Sequence, residues 1–158
     1  MVALMDSDLE GTRLRRVTDL LGGPHVLKRM VRSPLEAHEM LAEGLPGPAL
    51  NHLVDSLQVL GRTPSLEKAM GISLRTFQRR RETPAKPLSQ EQSGRAWKFA
   101  EILARASAAL GNQADAERWL EQPAMGLEQR RPIDLLSTPA GLDIVEDFLT
   151  RLEYGVYA

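Results

Sequence analysis

Apolar residues recur along this chain at three- and four-residue intervals, and glycine or proline breaks each run. Leu14, Val17, Leu20 and Leu21 predict a short amphipathic helix, stopped by Gly22-Gly23-Pro24. The polar stretch before it, Met1 to Gly11, lacks periodicity and is expected to fray. Val26 to Val31 add a further turn or two. Ser33-Pro34 starts a helix that runs to about Glu43, with Ser as cap, Pro at the first helical position and Gly44 at the end. Leu50, Leu53, Val54, Leu57 and Leu60 form one stripe of a helix over 49–60. Ser89 opens the longest helix, with Gln92 at capping-box spacing and a stripe of Ala96, Phe99, Leu103, Ala106 and Leu110. A shorter helix over 114–122 carries Trp119 and Leu120 and is cut by Pro123. The stretch 124–130 reads as loop, and Pro132 opens a turn through Leu136. Thr138-Pro139 starts the last helix, whose stripe is Leu142, Val145, Phe148, Leu149 and Leu152, and Gly155 ends it. No stretch alternates at period two, so the expected fold class is all-α, without internal repeats.

Within this frame, Ser65 to Arg81 reads as two short helices around a tight turn. Ser65 is placed to cap the first and Gly71 to end it in a left-handed conformation. Ser73 is placed to cap the second. Leu66 and Met70 share a face that Ile72 and Phe77 can close over. This is the pattern of a helix-turn-helix, whose second helix enters the DNA major groove. That helix carries Arg75, Thr76, Arg79, Arg80 and Arg81. Arginine can pair with guanine edges or neutralise phosphates. The plain alternative is a solvated basic face.

Net charge is -1, which becomes informative only when divided. Arg75, Arg79, Arg80, Arg81 and Lys86 face one anion, Glu82, over 75–86. Over 114–158 the anions Asp115, Glu117, Glu121, Glu128, Asp134, Asp143, Glu146, Asp147 and Glu153 outnumber Arg118, Arg130, Arg131 and Arg151. A basic middle and an acidic end suggest different partners. There is no cysteine, hence no thiol nucleophile and no Cys-based zinc site, which suits a reducing cytoplasm. No apolar run approaches a membrane span. His25, His38 and His52 fall on different expected elements and offer no paired metal site. Asp143, Glu146 and Asp147 read as a solvated helix face. No catalytic residue, metal ligand or cofactor site is expected, and the chain is not read as an enzyme.

The tail ends Tyr154-Gly155-Val156-Tyr157-Ala158, which is unusually apolar for a chain end. It either folds onto its own core or serves as an exposed anchor for a protein partner.

Taken together, these fragments resemble the Xre/MbcA/ParS antitoxin family of Xre–RES toxin–antitoxin systems. The resemblance spans nearly the whole chain. It rests on Leu20-Leu21-Gly22-Gly23-Pro24, Gly44-Leu45-Pro46, Gly71-Ile72-Ser73 with Thr76 and Gln78-Arg79-Arg80, and Trp119-Leu120 with Pro123. Its strongest part is Pro132-Ile133-Asp134-Leu135-Leu136-Ser137-Thr138, Gly141, Val145-Glu146-Asp147 and Glu153 to Ala158. It implies an N-terminal helical arm over 1–48, an Xre-like helix-turn-helix domain over 49–108 and a toxin-binding domain over 109–158. It further implies operator contacts by Ser73, Arg75, Thr76, Arg79 and Arg80, and an inhibitory plug formed by Tyr154, Gly155, Val156, Tyr157 and Ala158. The implied partners are operator DNA and a RES-domain toxin that degrades NAD, met by a homodimer within a hetero-oligomer in the cytoplasm. Two other possibilities stand beside it. One is a regulator whose C-terminal helices only dimerise; the other is an adaptor whose basic helix never meets DNA.

Overall fold

Local caps and breakers set most helix boundaries of this all-α chain. A computed structural model describes residues 2–61, 63–82 and 86–155, with side chains from residue 8 onward except those of Leu74 and Arg80. Ten α-helices occur among these residues. They are α1 (Val2–Leu20), α2 (Gly23–Leu27), α3 (Pro34–Glu43), α4 (Gly47–Asp55), α5 (Pro64–Met70), α6 (Leu74–Glu82), α7 (Gln90–Leu110), α8 (Gln113–Leu120), α9 (Pro132–Leu135) and α10 (Pro139–Glu153). A 3-10 turn, Met125–Leu127, sits inside a bridge between Ala124 and Arg130. No described helix is long and apolar enough to cross a membrane.

Several caps match expectation. Ser33 accepts from the Glu36 N–H and Thr138 from the Gly141 N–H. Ser89 and Gln92 form a reciprocal capping box at the start of α7. Three expectations are corrected. Val2 to Gly11 is helical, as the first half of α1. Ala3, Leu4, Met5, Leu9 and Glu10 favour helix locally, and the buried Leu14 and Val17 hold the second half of α1, on which this stretch continues. Thr63, not Ser65, caps α5, with Pro64 at the first helical position. The helix expected over 49–60 is α4 and stops at Asp55. Its continuation is lost because the N–H groups of Gln58, Val59 and Leu60 donate to the Glu117 carboxylate instead of to helix carbonyls.

The chain divides into two compact units. The first holds residues 1–56 and 75–101. Leu14, Val17, Leu21, Met40, Leu45, Leu50 and Leu53 are buried there, together with Phe77, Trp97 and Phe99. Its two chain segments are tied backbone to backbone. The Leu88 N–H donates to the Leu45 carbonyl at 2.8 Å, and the Leu45 N–H donates to the buried Ser93 Oγ at 2.8 Å. Gly44 makes that approach possible. Its φ is 97°, and a Cβ there would collide with the Leu88 carbonyl.

The second unit holds residues 57–74 and 102–158. In it α9 packs against α5, α8 and α10. Leu66, Met70, Ile102, Leu103, Leu120, Ile133, Val145 and Leu149 are buried. The Trp119 and Phe148 rings stack with centroids 5.9 Å apart.

Candidate nucleic-acid and protein interfaces

The basic helix forms as expected. Gly71 closes α5 at φ 67°, and the Ile72 N–H reaches back to the Glu67 carbonyl. Leu66, Met70, Ile72 and Phe77 are all buried. Ser73 in the turn is exposed, as are Arg75, Gln78 and Arg79 on α6, and Thr76 is half-buried. Arg75 and Arg79, four residues apart, lie on one helical face. The Arg80 side chain lies outside the described residues. Arg81 differs from its neighbours. It pairs with Asp55 at the end of α4, and its guanidinium sits over the Phe77 ring at 5.2 Å. Part of its charge therefore fastens the helix to its own unit.

At the other end of the chain, α10 finishes at Tyr154 and Gly155, the latter at φ 71°. Tyr154 is 80% exposed, so this part of the tail is not folded into the core. Val156, Tyr157 and Ala158 lie outside the described residues. The last turn before them is held by Arg105 of α7. Its Nε donates to Glu153 Oε1 at 2.9 Å, and its second terminal nitrogen donates to Thr150 Oγ1 at 3.0 Å and Glu153 Oε2 at 3.3 Å. On the outer face of α10, Asp143 and Asp147 are exposed and Glu146 is half-buried.

Three residues stand out that sequence reasoning passed over. Glu117 of α8 has no solvent exposure. Its Oε1 accepts from the N–H groups of Gln58, Val59 and Leu60 at 2.9, 2.8 and 2.8 Å. Its Oε2 accepts from Gln58 N–H and Gln113 Nε2, both at 2.9 Å. Successive backbone N–H groups of this kind form a concavity for an anion, and here a side chain fills it. Arg131, at the start of α9, holds Asp134 through two bonds of 2.8 and 2.9 Å. The Asp134 carboxylate raises its pKa further by hydrogen bonding and charge. Arg131 also donates to Ser65 Oγ at 2.7 Å. Arg105 is the third. Asp134 and Gln113 are near neighbours in the chain, but no spacing rule announces the long-range bonds, whose partners lie 45 or more residues away.

Among the described residues, no group of three or more His, Asp or Glu is placed to hold a metal ion. His25, His38 and His52 are exposed and lie on three different helices, α2, α3 and α4.

Comparison with known proteins fits this division of features. Residues 36–101 match the antitoxin Xre-like helix-turn-helix domain. Residues 105–155 match the antitoxin Xre/MbcA/ParS C-terminal toxin-binding domain. Antitoxin Xre of Pseudomonas putida is 30% identical over 123 residues, covering 78% of this chain and 74% of its own length. Antitoxin Xre of Yersinia enterocolitica is 32% identical over 109 residues, covering 67% of this chain and 73% of its own. The cationic α6 thus falls in a helix-turn-helix domain and α8 to α10 in a toxin-binding domain, and the chain belongs to the Xre antitoxin family.

Proposed function

We propose that this antitoxin neutralises a RES-domain, NAD-degrading toxin by seating its C-terminal segment, Tyr154 to Ala158, in the toxin's active site. We propose equally that it represses its own operon by binding operator DNA in the cytoplasm as a homodimer within a larger hetero-oligomer. The observation that carries the first part is the end of α10. The Arg105 fork anchors the last helical turn, and Tyr154 follows it at 80% exposure. An exposed aromatic beside a rigid anchor supplies contact area at low entropic cost. The acidic face of α10 suits a pocket that binds a phosphate-bearing dinucleotide and is therefore cationic. The second part is supported by exposed Arg75 and Arg79 on α6, beside Ser73 and Thr76. Ser73, Arg75, Thr76, Arg79 and Arg80 are assigned the operator contacts.

The test is co-expression with the product of the adjacent gene while cellular NAD is followed. Full-length antitoxin should preserve NAD, and a chain lacking Val156 to Ala158 should not. If NAD is never depleted by the neighbouring gene product, the assignment of a RES-type partner is wrong. If the truncated chain protects fully, the plug is wrong and the C-terminal helices have another role.

A further inference from the structure

We infer that the toxin-binding domain carries a second contact surface for the toxin, separate from the tail and formed by Trp119, Met125, Ile144, Phe148 and Arg151. The inference deepens the reading of this domain as the toxin-facing part of the chain. All five residues belong to one compact unit. Along α10, Ile144, Phe148, Arg151 and Gly155 are spaced at three- and four-residue steps and so share one flank. The opposite flank, with Thr150 and Glu153, is already taken by Arg105 of α7. Between the two flanks, Gly141, Val145 and Leu149 are buried. The first flank is only partly covered. Trp119 of α8 stacks on Phe148, and both rings stay half-buried. Ile144 is 47% exposed, and the Arg151 guanidinium lies over the Phe148 ring at 6.0 Å.

The turn after α8 extends this surface. Met125–Leu127 packs against α10, with Leu127 buried and Met125 82% exposed. The next two residues, Glu128 and Gln129, are left-handed at φ 54° and 64°. That conformation is costly for a residue with a side chain and persists only where the surroundings impose it. Here the Gln129 N–H donates to the Ala124 carbonyl at 2.9 Å, and the Ala124 N–H donates to the Arg130 carbonyl at 3.1 Å. The backbone is thus bent and fixed with a large apolar side chain held in water. One exposed apolar side chain is ordinary, but Met125, Ile144 and two half-open aromatic rings on adjoining elements make a patch. Trp, Phe, Met and Arg are the residue types enriched at interface centres. The flank ends at Gly155, where the tail leaves the helix, so a partner that holds the tail is carried next to it. That continuity selects the toxin as occupant. The surface fits an apolar face of the toxin with a carboxylate at its edge for Arg151. The flank supplies affinity, and the tail supplies inhibition.

The test measures binding of the purified product of the adjacent gene to the full-length chain and to Met125→Asp, Ile144→Asp and Arg151→Glu. A chain lacking Val156 to Ala158 is measured with and without Ile144→Asp. Thermal melting and the mass of each free chain in solution are recorded on the same samples. Met125, Ile144 and Arg151 are exposed, so Tm should stay within about 2 °C of the parent. Each substitution should weaken binding about tenfold, the scale of a contact at an interface centre. The tail-deleted chain should still bind, and Ile144→Asp should weaken it by the same factor, because independent contacts add. Parent-like affinity of both Met125→Asp and Ile144→Asp overturns the inference and leaves the plug untouched. A tail-deleted chain that no longer binds at all overturns it too. If Ile144→Asp turns a dimeric free chain into a monomer with affinity for the product unchanged, the face joins two copies of this chain, and the inference is likewise overturned. Weakened binding by the substituted chains, with full protection of NAD by the tail-deleted chain, upholds the surface and removes the plug. Absence of binding by the parent chain overturns both.

Discussion

Arg105 and Glu153 form a two-point ion pair, at 2.9 and 3.3 Å, that joins α7 to the last turn of α10. The side chains are only 20% and 25% exposed. The pair is therefore better shielded than a surface salt bridge, though solvent still screens it. Arg105→Ala should cost about 1–2 kcal/mol and lower Tm by several degrees, at about 2–4 °C per kcal/mol for a chain of this size. Amide exchange should accelerate over 152–155 before it does elsewhere in α10. Unchanged exchange there would show that the helix end does not depend on this pair.

Gly141 lies in the first turn of α10 against the backbone of α9. A Cβ at this position would collide with the Leu135 carbonyl, which is backbone and cannot swing aside. Gly141→Ala should therefore destabilise the chain by about 1–3 kcal/mol, although alanine is the better helix former. Chemical denaturation measures this, and a stabilised variant would contradict the packing.

The basic helix should bind DNA with a steep salt dependence. Removing a good base contact at Arg75 or Arg79 should cost roughly 1–3 kcal/mol. Replacing Arg75, Arg79 and Arg80 together by Ala should abolish specific binding in a gel-shift or anisotropy titration. Arg81→Ala should act differently, lowering stability more than DNA affinity, because Arg81 is engaged with Asp55 and Phe77.

One helix-turn-helix covers a single half-site. A dimer should therefore occupy a pseudo-palindrome, with half-sites about 34–36 Å apart or a multiple of that. Footprinting and mass measurement of the complex check this. Full affinity of a monomer for one isolated half-site would exclude it.

Deleting Val156 to Ala158 should leave helix content and Tm nearly unchanged, because Gly155 has already ended α10 and three residues cannot form a helical turn with a face of its own. Operator binding should persist while protection of NAD is lost. A Tm drop of several degrees would instead mean that these residues belong to the protein's own core.

Helix existence in this chain was legible from the amino-acid order alone. Ser33-Pro34, Ser89 with Gln92, and Thr138-Pro139 announce helix starts through bonds made within three residues, as the observed caps show. Gly44, Gly71 and Gly155 announce stops because their left-handed or otherwise strained backbone is a local property. The apolar stripes named the core of α7 and the buried Val145 and Leu149 of α10. The motif that identifies the basic helix is likewise contained within seventeen consecutive residues.

What only tertiary structure decided concerns partners far apart in the chain. In sequence Glu117 reads as one more carboxylate on the polar face of a short helix. Only folding brings the N–H groups of Gln58, Val59 and Leu60 around it, which ends α4 early and buries the charge. Ser65 reads as a helix cap, yet Thr63 takes that role and the Ser65 hydroxyl accepts from Arg131. Arg81 reads as the end of a basic run, yet Asp55 and Phe77 claim it. Periodicity reports whether a residue faces an apolar interior. It carries no information about which donor, 26 or 59 residues away, will satisfy a polar group once the chain closes.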